Sequence, residues 1–116
     1  MPRALETTGL PIVLAMALWP WIDAIEAAGG AAAEAPRLAA ERATRDLRRL
    51  IVVTAPLETM LEDALRASCN LADDVALPAS NVAYGRMEAL LALNDLIAWL
   101  RRAKPSEWAE VSGISW

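Results

Sequence analysis

The chain has 116 residues, is 56% apolar and carries a formal net charge of −4 from fifteen acidic and eleven basic side chains. It has no histidine and a single cysteine, Cys69, which excludes a Ser-His-Asp triad, a Cys-His pair, an imidazole-ligated metal and an intramolecular disulfide. Twenty-five alanines and seventeen leucines, against few strand formers, predict an all-α fold, and the length predicts one domain spanning 1–116.

Residues 1–9 read as a lead-in, and a first helix is expected over about 10–28. Thirteen residues, Leu10 through Ile22, pass before the first charge at Asp23. That run is short of the ~20 apolar residues a spanning helix needs, and Asp23 and Glu26 follow at once, so no membrane segment is expected. Its length suits a signal peptide, but Glu6 precedes it and further acids follow, so export is not expected either. Pro11 suits a first turn, whereas Pro20 predicts a kink or break near Trp19. Gly29-Gly30 stops the helix, and 29–36 reads as a linker ended by Pro36.

The second helix, over about 37–54, is the most regular. Ala39, Ala40, Ala43, Leu47, Leu50, Ile51 and Thr54 share one face, opposite Arg37, Glu41, Arg42, Arg45, Asp46, Arg48 and Arg49. Pro56 then breaks or bends the chain. A third helix over about 57–70 puts Leu57, Met60, Leu61, Ala64, Leu65 and Ser68 on one side, with Glu62 and Arg66 spaced to pair on the other. A loop is expected over 70–79. The fourth helix begins with Ser80 or Asn81 as N-cap and runs to about residue 103. It is apolar around most of its circumference, as befits a helix touching two neighbours, and Arg101, Arg102 and Lys104 suit the negative end of its dipole. Residues 104–116 form a tail with a short helical turn near Trp108. The sum is a small antiparallel bundle of three to four main helices.

No stretch matches a phosphate-cradling or dinucleotide-binding motif, and no cofactor or metal is expected. The carboxylates of the third and fourth helices invite comparison with Mg²⁺-dependent all-α nucleotide pyrophosphohydrolases, which use EExxE and ExxD. Here Glu58 and Glu62 stand four apart, and Ala92 occupies the place of the glutamate three before Asp95, a thin set for an octahedral cation. Cys69 has no histidine to activate it and reads as a small buried hydrophobe.

Two surfaces remain. On the second helix Arg42, Arg45, Arg48 and Arg49, with Arg37, outnumber Glu41 and Asp46, so a locally basic face lies on an acidic chain. It reads either as a solvated face partly neutralised by pairs such as Glu41–Arg45, or as a patch for nucleic acid or an acidic protein. Arginine in place of lysine favours protein. The other surface is apolar. The first half of the first helix is apolar on every side and the fourth helix nearly so, more than one small interior can absorb, and surplus of that kind marks a contact site. The candidate interface comprises Leu14, Leu18, Trp19, Trp21 and Ile22 with Asn94 and Trp99. Trp19 and Trp21 flank Pro20 and do not both fit one small core. Asn94, among Met87, Leu90, Ile97 and Ala98, reads as a register-setting amide in an oligomer, as a core residue bonded to a loop carbonyl, or as a residue at the edge of the core. The expectation is a non-catalytic, cytoplasmic interaction protein, a binding partner, inhibitor or assembly subunit, whose partner is another protein or a second copy. Toxin-immunity proteins, anti-CRISPR-type inhibitors and phage structural components are analogies of size and composition only.

Overall fold

A computed structural model describes residues 10, 12–29, 33–76 and 82–102. The lead-in, the expected caps Ser80 and Asn81, Trp108, Trp116 and the C-terminal turn lie outside the described residues. The chain folds as an all-α bundle of α1 (Ile12–Glu26), α2 (Ala35–Leu50), α3 (Ala55–Ala76) and α4 (Val82–Arg102).

Contacts at opposite ends fix the directions. Arg37 at the start of α2 bonds Asp73 near the end of α3, while Arg48 near the end of α2 bonds Glu58 near the start of α3. Arg86 at the start of α4 donates to the carbonyl of Ala28 just beyond α1. Neighbouring helices are therefore antiparallel. α3 packs most broadly against α4, α1 meets α4 only narrowly, and α2 and α4 occupy diagonal corners.

All four helices feed one apolar core, in which Leu14, Leu18, Trp21, Ile22, Ile25, Leu47, Leu61, Leu93 and Leu96 are fully buried. The core includes one short polar chain. The Trp21 indole N–H donates to Ser68 Oγ at 2.8 Å, and Ser68 Oγ donates to the Ala64 carbonyl at 2.8 Å. The indole thus takes an apolar site without leaving its donor unpaired.

Three expectations change. Of the kink or break expected at Pro20, the break is not made: α1 runs as one helix from Ile12 to Glu26. The backbone bond that proline deletes would have ended on the carbonyl of Met16, four residues earlier, and both residues are exposed, so water can serve that carbonyl. α2 ends at Leu50, earlier than expected. Ile51 is extended (φ −137°, ψ 158°), its N–H still bonded to the Leu47 carbonyl, and the run of β-branched residues from Ile51 to Thr54 opposes further helix. α3 extends to Ala76 through the expected loop. Buried Leu71 and half-buried Val75 continue the series Leu57, Leu61, Ala64, Ser68, while Asn70 and Asp73 face outward and cost the helix little.

Candidate functional site

The apolar stretch of α1 divides by direction. Leu14, Leu18, Trp21 and Ile22, expected at an interface, are completely buried. They are core, because spacings of four, three and one return them to the face that meets the other helices. Trp19 is half-buried, so Trp21 alone of that pair enters the core. Trp99 is half-buried and packs on the core. Asn94 is exposed, so the core reading of its amide falls.

The apolar side chains left at the surface of α1 are Ile12 (61% exposed), Val13 and Met16 (57%). A wheel would have located them: Asp23, one face with Ile12, Met16 and Pro20, marks the outward side. Val13, Met16 and Ala17 form one wall of a groove whose other wall is Leu50, Asp46 and Arg49 of α2. The Asp46 and Arg49 side chains stand 4.0 Å apart there, so the groove has an apolar floor and a charged edge. A second exposed strip runs along α4 through Tyr84, Met87 and Leu91 to Asn94.

The arginine face also divides. Arg48 turns sideways and holds Glu58 with both terminal nitrogens, Nη1 to Oε2 at 2.5 Å and Nη2 to Oε1 at 2.8 Å. That pairing pushes the Arg48 pKa up and holds the Glu58 carboxyl below its ordinary value, the hydrogen bond being the main cause in each. Arg48 is thus a clasp between α2 and α3, not part of an anion patch. Arg37 is a second clasp, bonding Asp73 at 2.5 Å and Glu34 at 2.6 Å. Its guanidinium is held further in its charged form by Asp73 first, then by Cys69 and Glu34. Arg42, Arg45 and Arg49 project outward. Arg42 and Arg45 form no ion pair among the described residues, so the expected Glu41–Arg45 pair is not made, and Arg66 pairs with Asp63 at 3.6 Å in place of Glu62.

The carboxylates gather along the groove between α3 and α4. Asp63, Asp73, Asp74 and Glu88 line about 610 Å³ there with Asn70, Tyr84 and Arg66, and the small residues Ala67, Gly85 and Ala92 form its floor. Asp95 extends the row toward Arg102. Tyr84 hydrogen-bonds Glu88, whose acceptance of that bond and whose charge raise the phenol's pKa. Gly85 leaves room for the Asp74 carboxylate, since a Cβ there would stand 2.6 Å from Asp74 Oδ2. Among the described residues no three metal-capable side chains converge.

Among the described residues no helix is long and apolar enough to cross a membrane. Compared with models of known families, with curated proteins and with solved structures, the chain matches none.

Proposed function

We propose that this is a non-catalytic protein-binding module whose contact surface is the outer face of α1 with the adjoining α1–α2 groove. The supporting observation is the exposure of Ile12, Val13 and Met16 beside a groove floored by Ala17 and Leu50 and edged by Asp46 and Arg49. An apolar centre within a polar rim is the usual anatomy of a protein interface. The occupant this surface suits is a protein segment that presents one or two apolar side chains, as a partner or inhibited target would.

The test is capture from cell extract by the purified chain and by a Val13→Glu/Met16→Glu variant. Both substitutions are at the surface, so the stability of the fold should stay within about 1 kcal/mol of wild type. Loss of captured protein in the variant is the expected result. Equal capture by both would end the reading.

A second reading rests on Arg42 and Arg45, exposed and without an ion pair among the described residues: binding of an acidic partner or nucleic acid through α2. Such binding falls steeply as salt rises.

A further inference from the structure

Leu38, Arg42, Arg45 and Arg49 follow one another at spacings of four, three and four along α2, and all are exposed. The strip points away from the bundle. Arg37 and Arg48, by contrast, are bent back into α3. Arg49 stands near Asp46, but Arg42 and Arg45 enter no ion pair among the described residues, and the planar fork of a guanidinium favours paired carboxylates.

The same molecule carries an acidic surface. The α3–α4 groove is walled by Asp63, Asp73, Asp74 and Glu88 and floored by Ala67, Gly85 and Ala92. Asp63 and Asp73 already answer Arg66 and Arg37, whereas Asp74, and Asp95 further along, enter no ion pair among the described residues. α2 and α4 share no seam in the bundle, so a chain does not lay its own arginine strip in its own groove. The two faces are complementary only between molecules.

We infer that copies of this chain associate head to tail, with Arg42 and Arg45 of one copy entering the acidic α3–α4 groove of the next. This rests on the second reading above and names its acidic partner. The contact is heterologous: each copy offers one basic and one acidic face, so association continues beyond two copies unless a ring closes. It is built from surface charges, so it is sensitive to salt.

Light scattering after size exclusion tests this with four proteins: wild type, Arg42→Gln/Arg45→Gln, Asp74→Asn/Asp95→Asn, and Val13→Glu/Met16→Glu. At low salt the wild-type mass should rise with concentration, and at about 0.5 M salt, where the screening length is only a few ångströms, it should return to the monomer's 12.5 kDa. Each of the two charge variants alone should stay monomeric. Mixed in equal amounts they should form a two-chain species and stop there, because each retains the one face the other lacks, whereas the wild type goes on beyond two copies. The inference is overturned by a wild type that is monomeric at every concentration in low salt. It is equally overturned by association that both charge variants retain, or by a mixture that stays monomeric. Association lost only in Val13→Glu/Met16→Glu would support the apolar contact and reject this one. A labelled single-stranded DNA bound by wild type but not by Arg42→Gln/Arg45→Gln, with no self-association, would give the strip to nucleic acid and reject it too.

Discussion

Replacing Ser68 by alanine takes from the Trp21 indole its hydrogen-bond acceptor at 2.8 Å and leaves a buried donor unmatched. The expected cost is about 1–3 kcal/mol, read as a lower urea midpoint with unchanged slope. A loss far below that would mean that the indole finds another acceptor. Glu58 shows how a single surface pair sets acid sensitivity. Its pKa is lowered in the folded state, chiefly by the Arg48 hydrogen bond. A depressed carboxyl contributes stability that is present above its unfolded value, about 4.3, and is lost as pH falls through the folded value. Glu58→Gln should therefore be less stable than wild type at pH 7, and the gap should close as the pH is taken below 4. A gap independent of pH would mean that the clasp is held by shape and not by charge. None of this residue-scale detail was legible beforehand. Both Arg48 and Glu58 looked solvated, and their meeting depends on how α2 and α3 lie together.

At the scale of the helix, Pro20 is the clearest departure from local preference. It sits in α1 on a face turned to water, where its missing N–H is tolerated but still contributes nothing. Pro20→Ala should restore one backbone bond and raise stability by roughly 1–3 kcal/mol, seen as a higher midpoint in circular dichroism at 222 nm. A lower midpoint would show that the packing of α1 depends on the proline. α2 and α3 were largely legible, because charge and apolar side chains alternate there at helical period. The limits were less so. Asn70, Asp73 and Asp74 carry turn-like chemistry, yet Leu71 and Val75 keep the period of the buried face and carry α3 on to Ala76. Burial of Leu71 outweighs the weak preference of its polar neighbours for a loop.

At the scale of the molecule, the burial of Trp21 among Leu14, Leu18, Ile22 and Ile25 makes α1 a structural member first. Trp21→Ala should cost about 3–5 kcal/mol, enough to unfold much of the population of a marginally stable domain, whereas the surface variants Met16→Glu and Arg45→Gln should leave the melt nearly unchanged. If Met16→Glu destabilises as much as Trp21→Ala, Met16 belongs to the core and the contact surface proposed for α1 is gone. The expected excess of apolar surface exists, but on other residues than the sequence suggested: Ile12, Val13 and Met16 remain outside while their neighbours go in.

The sequence by itself determined the helical class, the approximate places of the helices, and which faces of α2 and α3 turn inward. Those follow from alanine and leucine content and from a period of 3.6 residues, which are local properties. The outward side of α1 was only faintly marked, because the first half of that helix is apolar on every side and its directional signal comes late, from Asp23 and Glu26. The sequence did not determine which arginines of α2 stay available. Only the tertiary structure decided those points, by bringing Glu58 and Asp73 of α3 within reach of Arg48 and Arg37 and leaving Arg42 and Arg45 facing water. Ion pairs between helices depend on relative placement, and placement is set by the shared core rather than by any one segment.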